Sequence, residues 1–158
     1  MKMTQELSEA LSAQAAHEYK NMFAYKQIES YFEDKQLIHL AEFFRKQSAH
    51  EREHGDMIVA YLHSRTGGSV KVEEIEDAGL EIIAPEQAGD LFVKLEELTT
   101  VSLEAIYGLI LGEKSYVDLG FVQGMLVEQV EEEDTANQFA MQIKETKDIY
   151  LFNAVFGA

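Results

Sequence analysis

Residues 43–54 read Phe43-Phe44-Arg45-Lys46-Gln47-Ser48-Ala49-His50-Glu51-Arg52-Glu53-His54. With Leu40 before the stretch and Ile58 after it, the apolar residues recur at the spacing of an α-helix. Gln47, Glu51 and His54 fall on the same stripe as Leu40, Phe44 and Ile58. Residues three apart share a helix face, so one carboxylate and one imidazole point together toward the apolar side. A buried carboxylate without a partner is unfavourable by several kcal/mol. The Glu-x-x-His pair is therefore either a chance occurrence or part of a site that the remaining helices complete.

Working outward, this helix spans about Leu37 to His63, with Leu40, Phe43, Phe44, Met57, Ile58 and Tyr61 inward, and Thr66-Gly67-Gly68-Ser69 stops it. A first helix precedes it, from about Gln5 to Phe32, with Leu7, Leu11, Met22, Tyr25 and Phe32 on or near one stripe. The short polar turn Glu33-Asp34-Lys35 makes the two antiparallel neighbours. Residues 65–84, which contain Val70-Lys71-Val72 and Ile82-Ile83, are too long for a hairpin and suit a crossover. A segment of that length can travel the bundle and let the third helix run parallel to the second. Pro85 opens the third helix, which continues to about Leu111; Gly112 to Tyr116 form a turn; the fourth helix runs from about Val117 to Lys144. The apolar tail from Ile149 to Phe156 is a short closing segment or fifth helix. The expectation is an all-α four-helix bundle, one domain over residues 1–158, with a long crossover between helices two and three.

Composition narrows the function. No run of eighteen apolar residues occurs, so no membrane span is expected, and MKMTQELSEALSAQ lacks the apolar core of a signal peptide. The absence of cysteine excludes disulfides, zinc knuckles and rubredoxin-type iron sites, and leaves the cytoplasm as the expected compartment. The net charge is −16, from 29 acids against 13 bases, which opposes phosphate contacts and concentrates cations. No nucleic-acid partner is expected.

Each helix places a carboxylate among apolar neighbours. On the first, Glu18 lies four residues beyond Gln14 and seven before Tyr25. On the third, Glu96 shares a stripe with Phe92, Thr99, Leu103, Ile106 and Ile110, whereas Glu97 falls with Asp90, Lys94 and Glu104 and is expected in solvent. On the fourth, the stripe Phe121, Met125, Gln129, Glu132, Ala136, Phe139 passes through an acidic run in which Glu128 and Glu131 form a second pair. Counted from the turns, Glu18 lies 16 residues before Asp34 and Glu51 lies 17 after it. Glu96 lies 19 before Ser115, with Gln129 and Glu132 14 and 17 after it. At about 1.5 Å of rise per residue these side chains meet near mid-bundle. A multivalent cation would make the whole set favourable, and oxygen-rich donors with one imidazole suit iron or manganese better than zinc.

On these residues the chain resembles the non-haem ferritins of the bacterial type. The resemblance runs nearly its whole length and is carried by Glu18 with Tyr25, by Phe43–Gln47 leading to Glu51-Arg52-Glu53-His54, and by Glu128-Gln129-Val130-Glu131-Glu132. It implies that Glu18, Glu51 and His54 hold one iron. Glu51 would bridge to a second iron held also by Glu96 and Glu132, with Gln129 close by and Tyr25 as the aromatic that lends an electron. It implies a third iron site with Glu128 and Glu131, where this chain has His50 in place of a glutamate. His17, beside Glu18, is expected to face away from the pair. The implied function is iron storage with ferroxidase activity: oxidation of Fe(II) by O2 or H2O2 at the di-iron site, in a cage of about 24 subunits. The alternative is a di-iron oxidase or peroxidase without a cage, similar to bacterioferritin or rubrerythrin. Bacterioferritin has histidine where Glu131 stands, and no haem is expected.

Overall fold

A computed structural model describes residues 2–157. Its elements are α1 (Gln5–Asp34), α2 (Ile38–Thr66), α3 (Pro85–Glu113), α4 (Tyr116–Glu145) and α5 (Ile149–Phe156). The expected bundle, crossover and short fifth helix are all present. Thr4 caps α1 by accepting from the Leu7 amide at 3.2 Å, and its hydroxyl donates to both oxygens of Glu113 at 2.8 and 2.7 Å. The start of α1 therefore meets the end of α3. At the same end of the bundle, Arg65 near the end of α2 pairs with Asp118 in the first turn of α4, Nε to Oδ1 at 2.6 Å. Helices α2 and α3 thus run parallel to each other and antiparallel to α1 and α4.

Two turns close the hairpins. Gln36 (φ 60°) and Lys114 (φ 59°) sit in the left-handed region, ending α1 and α3 where no glycine is available. Gly67, at φ 69°, ends α2, and its amide donates to the His63 carbonyl at 2.9 Å. The second helix runs three residues beyond its expected end at His63, up to the glycine stop expected at Thr66-Gly67-Gly68-Ser69.

The crossover has no regular structure but is held along its length. Ser12 donates to the Lys71 carbonyl, Lys20 pairs with Glu76 at 3.2 Å, Val70 packs on one end of the core and Ile82 on the other. A strand-like segment with local contacts only would fray; these four contacts bind it to the bundle from end to end. No helix among the described residues is long and apolar enough to cross a membrane.

The core falls into two apolar clusters. One is built on Tyr25, Phe32, Phe44, Phe92 and Phe139, whose rings lie mostly edge-on at centroid distances of 5.2–6.1 Å. The other is built on Leu11, Ile58, Leu62, Leu103 and Val122. Met57, expected inward, is 40% exposed. It is the neighbour of buried Ile58, and one residue turns the side chain by about 100° around a helix, which carries it out of the buried wedge.

Helix α5 closes the aromatic end, with Phe156 against Phe43 and Phe139. Asn153, buried, accepts from the amides of His39 (3.0 Å) and Leu40 (3.1 Å), which lie in the first turn of α2. The α2 N-cap residue, Leu37, has no side chain able to do this. Replacing Asn153 by Ala is expected to destabilise the fold by about 1–2 kcal/mol. Urea unfolding checks it, and an unchanged midpoint would show that α5 is a passive appendage.

Candidate metal centre

Between the two apolar clusters lies a polar layer to which all four long helices contribute. Glu18 (0% exposed), Glu51 (2%), His54 (6%) and Glu96 (0%) are buried, as is Gln129. Each is followed or preceded by apolar residues at helical spacing, so burying the stripe buries the acid with it. Tyr25 donates to Glu96 Oε1, and the Gln129 amide donates to Glu96 Oε2 at 3.1 Å and to its carbonyl at 3.3 Å. Gln14 donates to Glu18 Oε1 at 2.8 Å. No lysine or arginine among the described ion pairs reaches Glu18, Glu51 or Glu96.

The layer is short of positive charge. Glu18 Oε2, Glu51 Oε2, His54 Nε2 and Gln47 Oε1 are buried with no hydrogen-bond partner. Burial, then the neighbouring Glu51 charge, pushes the Glu18 carboxyl well above its usual range. Burial, then Glu96, does the same to Glu51, and burial raises Glu96 against the hydrogen bonds from Tyr25 and Gln129. Tyr25 is raised by burial and by the charge of Glu96, so it stays a protonated donor. Such a set holds its charges only with a multivalent cation among them. Ligand atoms of Glu18, Glu51 and His54 lie within 4.8 Å of one another, a spacing one ion can span.

A second group adjoins the first. Ligand atoms of His50, His54 and Glu128 also lie within 4.8 Å of one another. His50 Nε2 is 3.0 Å from Glu128 Oε1, and its Nδ1 is 3.0 Å from Glu132 Oε1. His54 Nδ1 is 3.4 Å from Glu51 Oε2, and its Nε2 is 3.4 Å from Glu128 Oε2. The hydrogen bond to Glu132 and the charges of Glu132 and Glu128 outweigh burial and raise the His50 imidazole to about 9. Glu131 is exposed and belongs to neither group, and Glu97 is exposed as expected. His17 lies against α3, with Nε2 2.8 Å from Thr99 Oγ1; burial, then Lys20, lowers it to about 4.

Sequence reasoning placed Glu18, Glu51, His54, Glu96 and Gln129 in one layer, and the structure brings them together. It gave no role to Gln14 or Gln47, each four residues before an inward glutamate. That spacing was the available signal, since residues four apart stack on one face.

A four-helix bundle with a long crossover and buried carboxylates at mid-height defines the ferritin-like class. The chain belongs to the ferritin family: the ferritin-like domain model matches residues 8–146. It is 27% identical over 150 residues to a bacterial non-heme ferritin of Bacteroides fragilis, covering 95% of this chain and 94% of that one. A bacterial non-heme ferritin of Staphylococcus aureus is 26% identical over 160 residues, covering 99% and 96%. Among solved structures, an open pore ferritin from the archaeon Archaeoglobus fulgidus superposes with a TM-score of 0.91 at 25% identity, covering 98% and 96%.

The raised carboxyls give a test free of any metal. A glutamate with a folded pKa above its unfolded value of 4.5 stabilises below 4.5 and loses that contribution as pH rises toward the folded pKa. His17, lowered to about 4, adds stability over about pH 4–6.5, so the acids are read by difference. Between about pH 4.5 and 6.5, below the window in which His50 titrates, the melting temperature of the metal-free wild type is expected to drop relative to that of Glu51→Gln. Glu51→Gln should therefore melt above wild type near neutral pH in the metal-free protein. A Glu51→Gln protein that melts below wild type at pH 6.5 would mean that the layer is already compensated.

Proposed function

We propose that this protein oxidises Fe(II) within its bundle and stores the ferric product in a cage assembled from copies of itself, in the cytoplasm. The observation that carries the reading is the layer of buried acids and orphaned ligand atoms shared by Glu18, Glu51, Glu96 and His54. Iron is the substrate of this site.

In this reading Glu18, Glu51 and His54 Nδ1 bind one Fe(II), and Glu51, Glu96 and Glu132 bind the other, with Glu51 between them. Carboxylates suit both oxidation states because they are hard donors and can change from one-oxygen to two-oxygen binding. Gln129 and Tyr25 hold Glu96 by donating to its two oxygens, which fixes the direction of its lone pairs. With O2 as oxidant, two Fe(II) give up one electron each and O2 takes both, with two protons, to form H2O2. With H2O2, the same two electrons and two protons give two waters. Either oxidant satisfies the balance. Tyr25, protonated and 0% exposed beside Glu96, is the side chain placed to supply a further electron.

His54→Ala and Glu51→Ala should each reduce the rate of Fe(II) oxidation in air by about 100-fold or more while helical circular dichroism is kept. Wild-type rates in both variants would remove the site assignment. Storage and cage formation are read by gel filtration before and after Fe(II) is added in air. A large assembly that turns amber and retains its iron supports storage. A dimer that oxidises iron and precipitates rust supports the cage-free oxidase and excludes storage.

A further inference from the structure

Glu96 is held from two sides, and the hold through Gln129 reaches back toward the surface of α4. The Gln129 amide nitrogen has three acceptors around it: Glu96 Oε2 at 3.1 Å, the Glu96 carbonyl at 3.3 Å and Thr100 Oγ1 at 3.4 Å. The Thr100 hydroxyl donates in turn to Glu133 Oε1. The four residues alternate across the seam between two helices, Glu96 and Thr100 on α3, Gln129 and Glu133 on α4. Glu96 and Gln129 are buried, whereas Thr100 and Glu133 are partly exposed.

A threonine inside a helix can turn its hydroxyl back onto the carbonyl four residues earlier. Thr99 does so, donating to the Leu95 carbonyl at 3.1 Å. The same bond from Thr100 would end on the Glu96 carbonyl, which Gln129 uses. Glu133 draws the hydroxyl away. A carboxylate only accepts, so it takes the single hydroxyl proton and leaves Thr100 with lone pairs alone to present to Gln129. Surrounded by acceptors, the Gln129 amide must place its NH2 group toward Glu96. Its oxygen in that place would face three other oxygens.

We propose that Glu133 is a positioning residue for the oxidation site: through Thr100 it fixes Gln129 as a donor, and so holds Glu96 for the second iron. Glu133 acts at a distance, because Thr100 and Gln129 stand between it and Glu96. What it supplies is a hydrogen-bond acceptor and not a charge. The chain of hydrogen bonds stands on geometry alone; its effect on the reaction rests on the iron-oxidation reading.

The test compares full-chain Glu133→Leu and Thr100→Val, which each remove a link, with Glu133→Gln and Thr100→Ser, which keep the acceptor and the hydroxyl. Fe(II) oxidation in air should slow by about tenfold or more in the first two and stay within about twofold of wild type in the others. Titration with Fe(II) without oxygen should show one of the two ions bound about tenfold more weakly in Glu133→Leu, with the other unchanged. Equal losses in Glu133→Gln and Glu133→Leu would overturn the proposal, because charge alone would then be at work. Wild-type rates in all the variants, or both ions weakened together with a lowered urea midpoint, would overturn it as well. Crystals of metal-free Glu133→Leu give a reading independent of iron: the Thr100 hydroxyl should be turned onto the Glu96 carbonyl. A hydroxyl still beside Gln129 would overturn the proposal whatever the rates. A turned hydroxyl in a protein whose wild type oxidises no iron would keep the hydrogen-bond chain and remove the oxidation reading instead.

Discussion

The structure turns on an unpaid electrostatic debt in the middle of its core. Glu18, Glu51 and Glu96 are buried as deeply as the leucines around them, and no lysine or arginine among the described ion pairs meets them. Elsewhere the fold treats its acids differently. Burial would raise Asp118, but hydrogen bonds from Arg65, Ser115 and Tyr61 outweigh it and hold the carboxyl below its usual range. Glu29 is lowered in the same way, against burial, by Lys26 and Arg45. The chain thus compensates the acids near its bundle ends and leaves those at mid-height without lysine or arginine partners, which is the observation the proposed metal site explains.

That polar layer shapes the rest of the bundle. The polar layer divides the core into an aromatic cluster and an aliphatic one, and each must be sealed separately. Helix α5 and the Asn153 cap close the aromatic end. The Thr4–Glu113 and Arg65–Asp118 contacts close the other. The crossover then ties the two ends along the outside, and it is what allows α2 and α3 to run parallel. The parallel arrangement brings the Glu-x-x-His of α2 to the same height as Glu96 of α3. Caps and ion pairs at both ends hold the bundle while its middle carries buried acids that work against folding.

Much of this was legible in the sequence, for a physical reason. Helical periodicity fixes which way a side chain faces, and the rise per residue fixes its height, so Glu18, Glu51, Glu96 and Gln129 could be placed in one layer from spacing alone. Periodicity has an angular resolution of about one residue, and Met57 shows the limit by lying one position from buried Ile58. It also says nothing about partners. His50 was assigned beside Glu128 and Glu131 by resemblance; its rotamer brings it to Glu128 and Glu132, while Glu131 stays exposed. The Asn153 cap joins residues 113 and 114 positions apart, a contact with no local sequence signature.

Crystals grown without metal, soaked with Fe(II) under nitrogen and measured for anomalous scattering at the iron edge would test the central claim most directly. The account predicts two iron peaks per chain inside the bundle, one within bonding distance of Glu18, Glu51 and His54 and one of Glu51, Glu96 and Glu132. Iron confined to surface acids, with the mid-bundle layer unchanged and its carboxylates sharing protons, would contradict it.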